Sequence, residues 1–217
     1  AWQATSDGLR EPVFATSGGC QPTPGLERRE QGFSCEAFNR AVHSRAGAAD
    51  IEHVVIGGAW RFEPDYMRLA DVDAQRTATD ERELLAVAER NLVHEVATLR
   101  QAGKQVTLVG RFPVFPVSVP AYMARSVLRG QSPQILLTRA QMDAGNALVT
   151  AMLRRVAAAT GAALIDPAGV LCSAIECPYQ EGLVSLLTDR SHLAASAGHR
   201  LLPLIHRILG GSTAGSQ

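Results

Sequence analysis

The sequence has no surplus of charge of either sign, because 21 Lys+Arg balance 21 Asp+Glu over 217 residues. A nucleic-acid binder needs excess cation to displace counterions from phosphates, so the balance argues against that class. Only one lysine is present, Lys104, and arginine supplies nearly all the positive charge. No apolar run approaches the ~20 residues that cross a bilayer. The opening residues, Ala1-Trp2-Gln3-Ala4, do not have the pattern of a signal peptide and include no initiator Met. No Gly-rich phosphate loop opens a helix, which disfavours a flavodoxin-like cofactor or redox module. What is present is 46% hydrophobic and 19% charged residues, the balance of a packed globular protein.

Four cysteines occur, Cys20, Cys35, Cys172 and Cys177. Zinc sites use closely spaced Cys pairs with further Cys or His nearby, and Cys172-x4-Cys177 has no such neighbour before His192. The simplest reading is two local disulfides, Cys20–Cys35 and Cys172–Cys177. Four cysteines allow three connectivities, and four free thiols in a reducing compartment remain the alternative. If both bridges form, the compartment is oxidising.

Three segments have the pattern of strands: Pro12–Thr16, Glu52–Gly58 and Gln105–Gly110. Ala162–Asp166 is a weaker fourth. The second and third carry the continuous apolar run of a buried parallel strand. Helical periodicity fills the intervals. From Asp80 to Ala102, Leu85, Ala88, Leu92, Val96 and Leu99 share a stripe opposite Glu83, Arg90, His94 and Gln101. Asp80 with Glu83, and Thr138 with Gln141, have the spacing of capping boxes, while Gly103 and Gly161 are natural stops. The helix after Thr138 is expected to bury Gly145, Leu148, Val149, Met152, Val156 and Ala159. Glu36–Arg45 is a shorter helix, and the last runs from about Ala194 to Leu209. The alternation predicts an α/β fold, with a parallel sheet covered by helices on both faces. We expect one domain over residues 1–209 and a disordered tail over 210–217.

Connections from helix into strand are short, Gly103-Lys104 and Gly161 alone, whereas those from strand into helix are long. In a parallel sheet every loop that follows a strand leaves at the carboxyl edge, where ligands bind. Long loops in compact domains are usually functional. The working surface is therefore expected there, and both cysteine pairs touch it.

The last long loop ends in Asp189-Arg190-Ser191-His192-Leu193. An Asp three residues ahead of a His can orient the imidazole and stabilise its protonated form, leaving the His as general base. His192, His199 and His206 recur every seventh residue. Seven residues of helix span about 10 Å, too far for one metal ion. No serine is a convincing nucleophile: Ser17 forms no nucleophile elbow, and Ser191 would point away from its neighbour.

Taken in order, these residues resemble the SGNH-type (GDSL-like) hydrolase superfamily. Within it they are most similar to the extracytoplasmic SGNH domain fused to acyltransferase-3 type membrane O-acetylases. Ser17-Gly18-Gly19-Cys20-Gln21-Pro22, then Cys35 and Phe38, resemble the family's second block and its partner segment. Val54-Val55-Ile56-Gly57-Gly58-Ala59-Trp60 resembles the third strand. Leu99–Gly110 with Pro113 resembles the helix-to-strand passage, and Cys172, Cys177 and Asp189–Leu193 resemble the final block.

The resemblance implies a three-layer α/β/α sandwich with a flavodoxin-like parallel sheet of order 2-1-3-4-5. It implies His192 as base, Asp189 as its orienting acid, and a backbone N–H near Gly19 in the oxyanion hole. Gly58-Ala59-Trp60 stands where the superfamily often has an oxyanion Asn, so Trp60 either shapes the pocket or is a core residue. The family's Gly-Asp-Ser-His block is absent, and Ala1–Arg10 resembles the helix that follows it. The implied chain therefore starts one strand late, with the nucleophilic Ser upstream. The implied activity is transfer of an O-acyl group to a cell-surface glycan, without cofactor or metal. The acyl donor would come from a membrane acyltransferase domain, and the setting would be periplasmic. An esterase and a non-catalytic glycan-binding domain are the alternatives.

Overall fold

The computed structural model describes residues 12–28, 33–65, 67–70, 77–78, 80–132 and 134–210. Its elements in chain order are β1 (Leu26–Arg28), α1 (Cys35–Ala46), β2 (His53–Gly57), β3 (Met67–Ala70), β4 (Thr77–Ala78), α2 (Glu81–Gln101), β5 (Gln105–Val109), α3 (Val119–Leu128), α4 (Arg139–Thr160), β6 (Ala163–Ile165), α5 (Ala168–Leu171), β7 (Gln180–Glu181), β8 (Val184–Ser185), a 3-10 turn (Ala195–Ala197) and α6 (Gly198–Gly210).

The parallel sheet has the order β2-β5-β6. Its register pairs His53 with Gln105 and Gly57 with Val109, then Thr107 with Ala163 and Val109 with Ile165. Gly57, Val109 and Ile165 therefore end together, and the loops that follow them share one edge. Three adjacent parallel strands in sequence order match the latter part of the expected 2-1-3-4-5 sheet, and the architecture is the expected α/β/α class. Helices α2 and α4 pack on each other and on β5 and β6.

Helix ends follow the expected chemistry. Asp80 accepts the Glu83 N–H at 2.8 Å. Thr138 and Gln141 exchange both bonds of a capping box, and Gly161 closes α4 with a left-handed φ of 70°. Lys104, the lone lysine, is buried and donates from Nζ to the carbonyls of Ala48 at 2.7 Å and Ile51 at 2.8 Å. It thus ties the turn before β2 to the start of β5.

Two expectations are corrected. Pro12–Thr16 is not a strand: residues 12–16 are exposed and have no regular structure. No described strand lies beside them, and extended backbone without a ladder partner gains nothing over hydration. On α4 the inner face is shifted from the expected stripe. Met142, Asn146, Val149, Met152, Leu153 and Val156 are buried, while Leu148 is 67% exposed and Gly145 and Ala159 face outward. A polar residue, Asn146, on the inner face disguised its phase. On α2 the stripe holds for Ala88, Leu92, Val96 and Leu99, with Leu84 and Val87 buried where Leu85 is only half-buried.

Two small antiparallel sheets were not anticipated. They are β1-β3-β4, and the hairpin of β7 with β8. Strands of two to four residues are too short for a periodicity to be read. The expected domain limit at residue 209 falls at the end of α6. Of the expected tail, 211–217 lie outside the described residues, as does the Ala1–Arg10 segment.

Candidate active site

Asp189 to His192 occupy the tip of a tight loop. An antiparallel bridge joins Leu187 to Leu193 at its base. The Thr188 N–H donates to the His192 carbonyl at 2.9 Å, and the Ala194 N–H to the Leu186 carbonyl at 2.9 Å. Leu187 is buried and Leu193 half-buried, so apolar anchors hold the base while the polar tip faces outward.

The Asp189 carboxylate organises that tip. Its Oδ1 accepts the backbone N–H groups of Ser191 at 2.6 Å and His192 at 2.8 Å. Its Oδ2 lies 2.5 Å from His192 Nδ1. The two backbone bonds, then the imidazole, hold the Asp189 carboxyl far below the usual carboxylate range. An acceptor on Nδ1 fixes the ring proton there and leaves Nε2 as a lone-pair base. The His192 side chain is 79% exposed, so Nε2 is open to an incoming hydroxyl. Ser191 Oγ sits 3.4 Å from Asp189 Oδ1 and not on the ring. No serine among the described residues bonds His192 Nε2.

Neighbouring loops fix the tip in place. The Phe115 N–H donates to the Arg190 carbonyl at 2.7 Å, and the Val119 N–H, at the start of α3, to the Asp189 carbonyl at 3.1 Å. Beneath lie Phe115, Tyr179 and Tyr122, with Tyr179 edge-on to both at centroid distances of 6.3 and 5.8 Å. Cys172 and Cys177 are bridged. The Cys177 N–H donates to Leu137 O at 3.0 Å and the Arg139 N–H to Ile175 O at 2.8 Å, which fastens the bridged loop to the start of α4.

The other side of the edge is built by residues 17–25. Cys20 is bridged to Cys35, the first residue of α1. Gly19 has φ +80°, and a Cβ there would lie 3.1 Å from the Arg28 guanidinium. Gly58 has to be glycine because a Cβ would meet Pro22 Cδ at 2.7 Å. Buried Gln21 accepts the Trp60 N–H on Oε1 at 2.7 Å. Buried Asn39 donates to the carbonyls of Gln21 and Thr23, both at 2.9 Å, and Asn91 donates to those of Pro24 and Ala70, both at 2.8 Å.

Trp60 is 1% exposed, and its indole donates to the Val109 carbonyl at 2.8 Å. Its side chain is buried within the apolar cluster of the sheet. Its φ of +49° is strained for a non-glycine residue, and such positions cluster at functional edges. Asp189 and His192 are therefore brought into contact. Gly19 and Trp60 reach the same sheet edge, but no described hydrogen bond joins either to His192. Gln21, Asn39 and Asn91 went unrecognised in the sequence. For Asn91 a signal existed, a polar residue within the apolar stripe of α2; for Gln21 none did.

A carboxylate-oriented histidine at the carboxyl edge of an α/β/α sheet is an arrangement suited to acyl transfer or ester cleavage. Residues 9–207 match the model of the SGNH domain fused to AT3 domains, and the chain belongs to that family. Among solved structures, the periplasmic domain of a Salmonella ser. Paratyphi A lipopolysaccharide acetyltransferase is similar. It matches with a TM-score of 0.64 and 12% identity, over 89% of this chain and 69% of that one. No curated protein matches the chain.

Proposed function

We propose that the domain transfers an O-acyl group, acetyl in the first instance, to a cell-surface polysaccharide outside the cytoplasm. The observation that carries this is the Asp189–His192 pair, 2.5 Å apart, with Nε2 open at the carboxyl edge. His192 takes the proton from a serine hydroxyl as it attacks the acyl carbonyl, and Asp189 stabilises the imidazolium that forms. The imidazolium gives that proton to the departing donor group as the acyl-serine forms; His192 then takes the proton of a sugar hydroxyl that attacks the acyl-serine, and returns it to the serine oxygen as that ester bond breaks. The N–H groups around Gly19 would face the carbonyl oxygen.

In this reading the attacking serine is carried by a strand that pairs with the open side of β2. Support comes from β2 itself. It bonds β5 on one side, no described strand pairs with the other, and Val55 within it is 47% exposed. The two disulfides fit an oxidising compartment. Family fusion to AT3 domains supports a membrane acyltransferase domain as the donor's source.

The test uses the protein with its upstream segment and AT3 domain, and follows acetylation of the surface polysaccharide. His192→Ala should abolish transfer while the domain's thermal midpoint is unchanged. Undiminished transfer would sink the proposal. Release of free acetate without sugar acetylation would replace it with an esterase.

A further inference from the structure

The last turn of α3 inverts the usual placement of polar and apolar residues. Ser126 is buried, while the next two residues, Val127 and Leu128, are 68% and 86% exposed. Hydrogen bonds fix the turn in that setting. The Arg129 N–H donates to the Arg125 carbonyl at 3.1 Å, the Gly130 N–H to Val127 at 3.1 Å and the Gln131 N–H to Ser126 at 2.9 Å. Ala121 and Ala124, three and four residues apart from each other and from Leu128, share its side of the helix and are exposed too. Arg125 and Arg129, one helical turn apart and both exposed, flank the two apolar side chains.

A surface helix normally turns charged residues of both signs outward. Between Arg111 and Arg139 the sequence holds two charged residues, Arg125 and Arg129, and both are cations. Among the described residues neither guanidinium makes a hydrogen bond or an ion pair. Carboxylates on the adjoining segments are engaged or partly covered. Asp189, whose carbonyl accepts the Val119 N–H at the start of α3, commits its carboxylate to Ser191 and His192. Glu181, on the hairpin that packs against α3 through β8, is bound by Arg200 at 2.6 Å. Glu176 is half-buried and bridged to Thr138, at the far end of the connection that leaves α3. The same hairpin leaves Leu183 and Val184 exposed, which extends the apolar surface beside the helix.

We propose that the end of α3, Val127 and Leu128 between Arg125 and Arg129, seats the domain on the anionic surface of a lipid bilayer. Aliphatic side chains set between unpaired guanidinium groups match the layering of that surface, hydrocarbon beneath phosphate. A second copy of the chain fits less well, because a two-fold contact through this helix end would set the same cations against each other. Helix α3 has ten residues and therefore spans about 15 Å. Its first residue is bonded to the Asp189 carbonyl, so the seat holds His192 within roughly that distance of the bilayer. In the proposed function that is where a membrane acyltransferase domain delivers the acyl group, although the seat itself does not depend on that reaction.

The experiment measures binding alone. The 217-residue chain is floated with vesicles of phosphatidylcholine, and with vesicles of phosphatidylcholine mixed with phosphatidylglycerol. It should float with the anionic vesicles far better than with the neutral ones, and raising salt should weaken the association. Val127→Ser/Leu128→Ser should weaken it about tenfold, and so should Arg125→Gln/Arg129→Gln. Leu148→Ser, comparably exposed on α4, should leave it unchanged. Thermal midpoints of these variants should match the parent, because the altered side chains are exposed. In Leu128→Trp the new indole should be quenched by brominated acyl chains. Equal binding to neutral vesicles, no loss with either double variant, or an equal loss with Leu148→Ser would overturn the proposal. So would a dimer in sedimentation that Val127→Ser/Leu128→Ser dissolves, with no vesicle binding. If vesicles bind as expected and His192→Ala still transfers acetyl, the seat stands and the catalytic reading falls.

Discussion

Ile56, Val106 and Leu108 are buried because their strands pair in register and helices cover them; Leu186, Leu187 and Ala197 are just as buried, on segments with little regular structure. The first group belongs to an apolar cluster that runs from the parallel sheet through α2 and α4 to β1 and β3. The second is a shelf at the carboxyl edge, where Phe115, Tyr179, Leu186 and Leu187 pack beneath the loop that carries His192. Secondary structure satisfies the backbone of the first, while single cross-loop bonds and the Cys172–Cys177 bridge organise the second. The sheet cluster joins the packed strands and helices, and the shelf holds the Asp189–His192 contact in place.

Mutations should divide along that line. The largest effect falls on the shelf's product. His192→Ala should lower acyl transfer at least ~10³-fold with no change in urea midpoint, because the removed ring is solvent-exposed. Next, Leu108→Ala in the sheet cluster, where the side chain is 0% exposed, should cost about 2–5 kcal/mol in denaturant unfolding. Transfer per folded molecule should stay close to normal. If Leu108→Ala damaged rate and not stability, the division would be wrong.

The Cys172→Ser/Cys177→Ser pair probes the shelf's staple. Closing so short a loop stabilises by about 2 kcal/mol in the chain-entropy account. Transfer should fall more than that loss of stability explains, as read by kcat against thermal midpoint. Gln21→Ala strips the acceptor from the buried Trp60 N–H and should cost about 1–3 kcal/mol. This variant bridges the two regions, because Gln21 also seats the Gly19 loop.

The smallest effect is a pH dependence within the sheet cluster's surroundings. Burial pushes His43 down to about 4. Its unfolded value is higher, so as pH falls the unfolded chain takes up the proton first. Stability contributed by neutral His43 is full above pH 6.5 and declines toward pH 4. Glu95 faces His43 at 3.3 Å, and burial raises its carboxyl, which acts in the opposite sense. His43→Gln should therefore flatten the acid side of the urea-midpoint profile. Asp189, held far below its usual range, should remain a carboxylate from pH 4 to 8. The Asp189 carboxyl carbon signal should show no protonation of that carboxylate over that range.

The sheet region was largely legible before any coordinates. Continuous apolar runs at 53–57 and 105–109 and caps at Asp80, Thr138 and Gly161 are local signals, set by neighbouring residues. Where the reading slipped, a local signal was misleading. Pro12–Thr16 has strand composition without a described neighbouring strand, and Asn146 hid the phase of α4. Of the site, the Asp189-to-His192 spacing was visible, since a three-residue separation closes a turn by itself. The long loops also leave the sheet at the edge that carries the Asp189–His192 contact.

Composition, periodicity and spacing therefore determined the parallel α/β class, the edge at which the long loops gather and the Asp189–His192 contact, whose members are near in sequence. The tertiary structure decided what depends on meetings between distant segments. It buried Trp60 under a bond to Val109 and placed Gln21 against residue 60. It also tied the Arg190 carbonyl to the Phe115 N–H. Such contacts are invisible in the chain because each partner's environment is supplied by residues tens of positions away, and only the closed sheet edge puts them within bonding distance.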